Sequence, residues 1–367
     1  MEQGSQWEKA YTHGGDVYRN EKIRMDFSIN INPLGMPDFI KQAAMDGVEE
    51  SARYPDSRCR RLRRLAAGFY GVQEETLVFG NGAAELIFGI VRAVSPRRAV
   101  LTAPSFTEYE AALSSVGAEV LFFPLKEEEE DFSLPADRYL DFLKSARPDM
   151  IFLCNPANPT GRLTPGEEIR RILEFCTVQG ILAVVDECFL DLAEEDERDS
   201  VLDLVRAGEK KVFLLKAFTK SFAMAGLRLG YGFLADGELR LKMQSQSQPW
   251  NVSIPAQEAG CAAFGAEREP YLREARRLIG QEREYLREGL QRLGFYVFPS
   301  EANFLLFKRT DRGDGGELYE SLLSRGILIR RCGDYQGLSG DHYRICVKKR
   351  EENRAFLENL GEIYKKR

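Results

Sequence analysis

Short runs of apolar and β-branched residues recur along the first two thirds of the chain and alternate with helical patterns. The runs cover residues 76–79, 98–101, 119–123, 150–154, 181–185 and 212–215. Strands of this length separated by helices are typical of a mostly parallel sheet covered on both faces. Two of the helices are predicted at 84–93 and 166–179. For the second, Thr164 is the expected N-cap, Pro165 occupies the first position and Gly180 ends the helix.

The pattern changes in the C-terminal part of the chain. Apolar residues recur at three- and four-residue spacings over 271–293 and stop at Gly294, which predicts one long amphipathic helix. Alternating or apolar runs follow at 295–298, 302–307, 327–330 and 343–347. These runs predict a smaller α+β part with an antiparallel sheet, completed by the N-terminal segment. We therefore expect a large α/β domain at 45–260 and a small domain formed by 1–44 and 261–367.

Composition and charge narrow the classes of function. The 367 residues are 44% apolar and 29% charged, which is typical of a folded globular protein. The 51 basic and 57 acidic residues give a net charge of −6, so neither nucleic acid nor an anionic membrane is expected as a partner. The acidic run at 126–131 predicts a solvated loop. No stretch approaches the length of about 18 apolar residues that a membrane span needs.

Cysteine and histidine usage argues against a metal centre. The seven cysteines include no C-x-x-C pair, and His13 and His342 are the only histidines, so neither a thiolate zinc site nor a disulfide framework is predicted. Residues 1–20 are polar and lack the apolar core of a secretion signal. We expect a cytoplasmic protein with reduced thiols and no metal.

Polar features follow three of the predicted strands. The segment N-P-A-N-P-T-G at 155–161, Asp186 and Lys220 each come just after an apolar run. Ligands of open parallel sheets bind outside the carboxyl ends of the strands, so these features are expected to meet in one crevice. Lys220 lies among apolar residues, where burial disfavours its ammonium form and makes a Schiff base accessible.

Two further features indicate a phosphate site. In F-G-N-G-A-A-E at 79–85, small residues stand where a strand ends and a helix begins, which leaves N–H groups for an anion. The segment lacks both the third glycine of G-x-G-x-x-G and the lysine of a Walker loop, so nicotinamide and nucleoside triphosphates lose support. Arg228, in an apolar and glycine-rich run, needs an anionic partner such as phosphate. Each feature alone is compatible with a structural role, but together they are the set that a pyridoxal phosphate enzyme requires.

The order of these motifs resembles a known family. N-P-x-N-P-T-G at 155, V-V-D-E at 184, T-K at 219 and G-L-R-L-G-Y at 226 are similar to the fold-type I aminotransferases of class I/II, and within them to the histidinol-phosphate aminotransferase group. Segments similar to the threonine-phosphate decarboxylases of cobamide synthesis lie at 13–16, 26–35, 80–82, 104–109, 329–332 and 343–347. The resemblance implies a PLP-dependent transferase fold with a mostly parallel seven-stranded sheet between helices, a smaller α+β domain, and pyridoxal 5′-phosphate as cofactor.

The resemblance also implies roles for residues around the cofactor. Lys220 would form the imine with the cofactor and later move protons, and Asp186 would pair with the pyridinium nitrogen. Asn158 would hydrogen-bond the ring hydroxyl, and Phe106 would stack on the ring. The implied phosphate ligands are Gly82, Ala83, Ala84, Thr219 and Arg228. Tyr54 matches a tyrosine that reaches the phosphate site of the neighbouring subunit, which implies a homodimer.

For the substrate, the resemblance implies a small phosphorylated amino acid or amine. Arg344 matches the arginine that binds the α-carboxylate, where a planar guanidinium fits both oxygens. His13, Asn32 and Arg330 are expected contacts to the phosphate at the far end of the substrate. For each of these four residues a role outside catalysis stays open.

The reaction itself is left open by the sequence. Phe189 replaces a tyrosine that many aminotransferases of this group carry, so the ring oxygen depends more on Asn158, which suits the decarboxylase branch. Decarboxylation of L-threonine O-3-phosphate is the leading prediction. The alternative is an aminotransferase that uses glutamate and 2-oxoglutarate with histidinol phosphate or a related amine. A non-catalytic regulator that senses pyridoxal phosphate is disfavoured, because it should carry a basic DNA-binding module in addition to the enzyme fold.

Overall fold

A computed structural model gives the fold of residues 14–19, 22–194, 196–310 and 315–365. Its strands are β1 (Met25–Asp26), β2 (Leu77–Gly80), β3 (Arg98–Ala103), β4 (Glu119–Pro124), β5 (Met150–Cys154), β6 (Leu182–Asp186), β7 (Val212–Ala217), β8 (Gly230–Leu234), β9 (Phe295–Val297), β10 (Phe304–Arg309), β11 (Ile327–Leu328), β12 (Arg330–Arg331) and β13 (His342–Cys346). Its α-helices are α1 (Asp38–Glu49), α2 (Arg60–Tyr70), α3 (Gly82–Val94), α4 (Thr107–Ser114), α5 (Glu127–Glu130), α6 (Ala136–Ala146), α7 (Gly166–Gln179), α8 (Asp196–Asp199), α9 (Leu202–Arg206), α10 (Phe218–Ser221), α11 (Gly237–Ser245), α12 (Ile254–Ala262), α13 (Arg268–Arg292), α14 (Gly315–Ser324) and α15 (Arg350–Lys365).

A seven-stranded sheet forms the centre of the molecule, in the order β2-β8-β7-β6-β5-β3-β4. The strands from β7 to β4 in this order run parallel, and β8 is antiparallel to both of its neighbours. Alternate residues of β6 belong to two different cores, Ala183 and Val185 to one and Leu182 and Val184 to the other. Both faces of the sheet are thus buried, which explains the continuous apolar runs. The predicted α/β class is confirmed.

A smaller antiparallel sheet has the order β12-β13-β10-β9. Near it, β1 pairs in parallel with β11, so the N-terminal segment contributes as predicted. The long helix α13 lies where the apolar spacing placed it, and its Leu286 and Leu290 pack in the core of this sheet. The domain bounds stay a prediction. Helix α1 runs across the predicted boundary between residues 44 and 45. Within the described residues, none of the helices combines the length and apolarity of a bilayer span.

Helix α7 has the predicted bounds but a different N-terminal cap. Pro165 rather than Thr164 precedes its first residue and provides no side-chain cap. Instead, Oδ1 of Asp199 accepts the N–H of Gly166 at 2.9 Å. The backbone of Thr164 is bound by the amide of Asn155, which donates to its carbonyl at 2.9 Å and accepts its N–H at 2.8 Å. The predicted cap was wrong because the capping side chain comes from a distant part of the chain.

The acidic run at 126–131 was predicted as a solvated loop, which was wrong in part. Part of it forms α5, directly after the edge strand β4. Glu127 pairs with Lys308 at 2.6 Å and approaches Nε2 of His342 to 3.4 Å. Asp131 accepts a hydrogen bond from Tyr296. Glu127 and Asp131 therefore contact the smaller sheet, whereas Lys126, Glu128 and Glu129 are exposed as predicted.

Candidate active site

A cavity of about 460 Å³ lies at the carboxyl edge of the central sheet. Cys154 and Asp186 are the last residues of β5 and β6, and Lys220 lies in α10, which follows β7 directly. All three line the cavity, so the predicted convergence of separate polar features is observed. The sequence-predicted residues that line it are Ala83, Ala84, Phe106, Asn158, Asp186, Thr219, Lys220, Arg228, Arg330 and Arg344.

Lys220 is half-buried because its side chain borders the cavity. Its Nζ lies 5.8 Å from the centre of the Phe189 ring, which also lines the cavity. Burial, followed by the positive charges of Arg344 and Arg228, lowers the pKa of Lys220 to about 8. An amine with this pKa is substantially neutral under mildly alkaline conditions and can act as a nucleophile.

The carboxylate of Asp186 is buried and held by two donors. The hydroxyl of Tyr109 donates to Oδ2 at 2.6 Å, and the backbone N–H of Cys188 donates to Oδ1 at 3.0 Å. Tyr109 is fully buried and its ring stacks on Phe152 at 4.7 Å. Burial raises the pKa of Tyr109 well above its usual value, so the hydroxyl keeps its proton. The motif at 104–109 indicated no role for Tyr109, because this contact joins residues that are far apart in the chain.

An anion cradle lies where α3 begins. Gly82 opens the helix with a φ of 79°. A Cβ on residue 82 would lie 2.4 Å from a terminal nitrogen of Arg228, so glycine is required for this close approach of the guanidinium. Ala83 and Ala84 line the cavity beside it. The N–H groups of the first helical turn and a guanidinium group together favour a phosphate.

Two arginines reach the cavity from the smaller sheet. Arg330 on β12 and Arg344 on β13 are direct cross-strand partners, and both are buried. Arg344 donates to Oδ1 of Asn158 and, at 2.9 Å, to the backbone oxygen of Ser28. Its buried Nε has no hydrogen-bond partner among the described residues. Arg330 pairs with Asp334 at 2.6 Å. The cavity therefore has two cationic groups on one wall.

Asn32 lies beneath the cavity and is not among the residues that line it. Its Nδ2 donates to the backbone oxygen of Ser221 at 2.8 Å, and its Oδ1 accepts the N–H of Leu34 at 3.0 Å. Its own N–H donates to the backbone oxygen of Lys220 at 3.1 Å. The amide oxygen and one of the two amide hydrogens are used within the fold, so Asn32 supports the turn that carries Lys220, and its contact to substrate phosphate stays a prediction.

Two other predicted residues are not seen at the cavity. His13 lies outside the described residues. Tyr54 lies on the surface, where it is 76% exposed and stacks on Trp250 at 4.5 Å. Asn30, which sequence analysis missed, does line the cavity, and its buried Oδ1 has no hydrogen-bond partner among the residues described. No sequence signal distinguished Asn30 from its neighbours.

Four buried charged side chains form an ion network below the strand ends. Nζ of Lys216 lies 3.2 Å from Glu187 and 3.2 Å from Asp191, and Arg268 lies 3.0 Å from the other oxygen of Asp191. Burial opposes the ionisation of Asp191, but the charges of Lys216 and Arg268 outweigh it and hold the pKa at about 2. Because Glu187 follows β6, Lys216 lies in β7 and Arg268 begins α13, the network joins two strand ends to the long helix.

A lysine with a lowered pKa, a fixed carboxylate and a phosphate cradle around one cavity match the needs of pyridoxal 5′-phosphate. The fold and the cavity thus define a pyridoxal phosphate-dependent enzyme. The chain belongs to the aminotransferase class I and II family, whose model matches residues 22–360.

Relatives of two kinds resemble the chain over most of its length. A threonine-phosphate decarboxylase of Salmonella typhimurium is 32% identical over 359 residues, covering 96% of each chain. A histidinol-phosphate aminotransferase of Nitratidesulfovibrio vulgaris is 34% identical over 337 residues, covering 91% of this chain and 87% of the relative. The crystal structure of the histidinol-phosphate aminotransferase of Clostridium acetobutylicum has a TM-score of 0.85 and 29% identity, covering 94% of this chain and 100% of that one.

The lowered pKa of Lys220 predicts a pH-dependent reaction with the cofactor. When pyridoxal 5′-phosphate is added to cofactor-free protein, the rate of covalent attachment is expected to rise with pH and to level off above about 8, because only the neutral amine attacks the aldehyde. Stopped-flow absorbance measures this rate, with Lys220→Ala as the control for non-specific reaction. A rate that does not change with pH through this range contradicts the prediction.

Proposed function

We propose that the protein is a carboxy-lyase that acts on a phosphorylated amino acid, with L-threonine O-3-phosphate as the leading substrate. The observation that carries this proposal is the pair of buried arginines, Arg330 and Arg344, on neighbouring strands at one cavity wall. A substrate with a carboxylate and a phosphate has one anionic group for each guanidinium. Histidinol phosphate has only its phosphate, but glutamate, the amino donor of the alternative reaction, has two carboxylates, so the arginine pair alone fits both reactions. Phe189 at the cavity supports the lyase assignment, because it cannot donate a hydrogen bond to the ring oxygen.

Bound pyridoxal 5′-phosphate supplies an electron sink for charge that develops at the substrate Cα. Lys220 would hold the cofactor covalently, and its amine would move protons at Cα of the substrate. Asp186 would keep the ring nitrogen protonated, Asn158 would bind the ring hydroxyl and Phe106 would cover the ring. The residues assigned to the cofactor phosphate are Gly82, Ala83, Ala84, Thr219 and Arg228.

The substrate is oriented through its two anionic groups. Arg344 binds the α-carboxylate, and its unpartnered Nε supports this role. Arg330, together with His13, binds the phosphate. When the bond from Cα to the carboxylate breaks, carbon dioxide leaves, and Nζ of Lys220 delivers a proton to Cα. The product is the corresponding amine with its phosphate intact.

Product analysis tests this proposal. The cofactor-loaded protein is mixed with L-threonine O-3-phosphate in the absence of any keto acid, and the products are identified by mass spectrometry. We expect the aminopropanol phosphate that is lighter than the substrate by one carbon dioxide. The Lys220→Ala protein, incubated with the same cofactor, is the control for decarboxylation by free pyridoxal phosphate.

An aminotransferase is the second candidate, because a histidinol-phosphate aminotransferase is among both the relatives and the structural neighbours. If glutamate alone converts the cofactor to its pyridoxamine form and yields 2-oxoglutarate, while L-threonine O-3-phosphate loses no carbon dioxide, the lyase assignment is overturned. Product analysis with each of the two substrates therefore distinguishes the two reactions.

The proposal includes a homodimer in the cytoplasm. Tyr54 and Trp250 are 76% and 47% exposed and stack on each other, although both are large aromatic side chains. An exposed aromatic pair of this kind supports a partner surface. In the dimer, Tyr54 reaches the cofactor phosphate of the partner subunit. The cytoplasm suits the free cysteines of the described residues, because thiols stay reduced there.

A further inference from the structure

Residues 126–132, which we call the acidic bridge, connect the central sheet to the smaller sheet. The bridge follows β4, and Glu127 contacts two strands of the smaller sheet at once. Oε1 of Glu127 accepts a hydrogen bond from Lys308 on β10 at 2.6 Å. Its Oε2 lies 3.4 Å from Nε2 of His342 on β13. One carboxylate therefore binds a side chain of β10 and lies against a side chain of the adjacent strand β13.

Two phenylalanine rings pack against His342, next to the contact with Glu127. Phe132, at the end of the bridge, is 1% exposed and lies 5.0 Å from the ring of Phe298. The His342 ring stacks on Phe298 at 5.9 Å and meets Phe132 edge-on at 6.3 Å. The two apolar rings bury His342, whereas the Glu127–Lys308 pair beside it stays partly exposed.

The protonation of His342 suits this arrangement. Its Nδ1 accepts the backbone N–H of Ser339 at 3.1 Å, so the proton of the neutral ring is on Nε2, the atom nearest Glu127. Burial lowers the pKa of His342, and the charge of Lys308 adds to this effect while Glu127 opposes it. The carboxylate therefore accepts a hydrogen bond from Lys308, whereas the buried Nε2 of His342 lies beside it without a hydrogen-bond partner among the described residues.

The acidic bridge lies close to the arginines assigned to substrate. His342 and Arg344 are two residues apart in β13, so their side chains share one face of the strand. On β10, Lys308 is the cross-strand partner of His342, and on β12, Arg330 is the cross-strand partner of Arg344. A change in the tilt of β13 at His342 therefore moves both guanidinium groups relative to the cavity.

We propose that Glu127 is a positioning residue for substrate binding: it fixes β10 and β13 against the central sheet and so sets where Arg344 and Arg330 stand over the cavity. Glu127 does not line the cavity itself. The substrate used in the test rests on the function proposed above. The proposed effect of Glu127 on the position of the strands is independent of that function.

The test compares Glu127→Gln with Glu129→Gln in the cofactor-loaded protein. Glu129 lies on the same short helix but pairs only with the neighbouring Lys126, so it is the matched control among the described contacts. In hydrogen exchange, Glu127→Gln is expected to speed exchange of the β13 amides, whereas amides of β5 stay unchanged. With L-threonine O-3-phosphate, KM is expected to rise about tenfold while kcat changes much less, because the reacting groups are untouched.

Lys308→Met tests the same contact from the other side. It is expected to raise KM in the same direction, and the Glu127→Gln/Lys308→Met double variant is expected to add little to Glu127→Gln alone. The proposal is overturned if Glu127→Gln exchanges at β13 like Glu129→Gln, or if it lowers kcat and leaves KM unchanged. If the wild-type protein does not act on L-threonine O-3-phosphate, the proposed function fails, and the exchange of β13 still decides the role of Glu127.

Discussion

Replacement of Lys220 by alanine is expected to abolish activity, with a loss in kcat of about 10⁴-fold or more. In the proposed function the lysine provides both the covalent link to the cofactor and the proton carrier at Cα, and it is the one lysine among the described residues that line the cavity. The visible absorbance of the lysine-bound cofactor should disappear as well. Activity on L-threonine O-3-phosphate and the absorbance spectrum of the protein with added cofactor measure the two effects.

The matched control is Lys242→Ala, which removes an exposed lysine that pairs with Glu238 within α11. This variant should keep full activity and the full cofactor spectrum. Circular dichroism establishes that both variants are folded, which is expected because alanine at position 220 relieves the cost of burying an amine. A Lys220→Ala protein that retains the lysine-bound cofactor spectrum contradicts the assignment of the site.

Replacement of Asp186 by asparagine is expected to lower kcat by about 10³-fold. Asparagine keeps the shape of the side chain but removes the negative charge that, in the proposed function, keeps the ring nitrogen protonated, so the bound cofactor would accept electrons poorly. Cofactor should still be bound covalently, because Lys220 and the cradle at Gly82 are intact. The measurements are kcat, and the pH dependence of the cofactor absorbance as a readout that does not depend on turnover.

The Tyr109→Phe variant separates the charge of Asp186 from its orientation. Phenylalanine preserves the stacking on Phe152 and removes one of the two donors that bind the carboxylate. A loss in kcat of about tenfold is expected, which corresponds to one hydrogen bond to a charged group. If Tyr109→Phe is as inactive as Asp186→Asn, Tyr109 does more in the reaction than orient the carboxylate of Asp186.

The features that the sequence predicted are those that depend on local pattern or on a motif. The bounds of α7 and α13 follow from apolar spacing and from the glycine that ends the pattern, so they were found closely. Lys220 and Asp186 were correctly placed at one cavity because Asp186 ends a buried strand of a parallel sheet and Lys220 lies shortly after another. In such a sheet the strand order brings these ends together without further information.

The features that the sequence did not predict depend on contacts between distant segments. Asp199 caps α7, and Tyr109 binds Asp186, although neither pair is close in sequence. Glu127 belongs to a run of like charges that is usually solvated, and only the fold places it beside Lys308. Asn32 has the residue type of a phosphate ligand, and no motif indicated that its amide also binds the backbone of Ser221 and Leu34.

The buried ion network of Lys216, Glu187, Asp191 and Arg268 has a consequence for how this sequence can evolve. Losing one member leaves a buried charge without its partner, at a cost of about 3–5 kcal/mol, whereas replacing a buried ionic group as a whole with apolar residues is often neutral or stabilising. Because a folded domain is stable by only about 5–15 kcal/mol, each single step is selected against. The four residues should therefore be retained or replaced together in related sequences. We expect them to be retained because each single replacement is destabilising, and not because the network makes the protein more stable than an apolar core would.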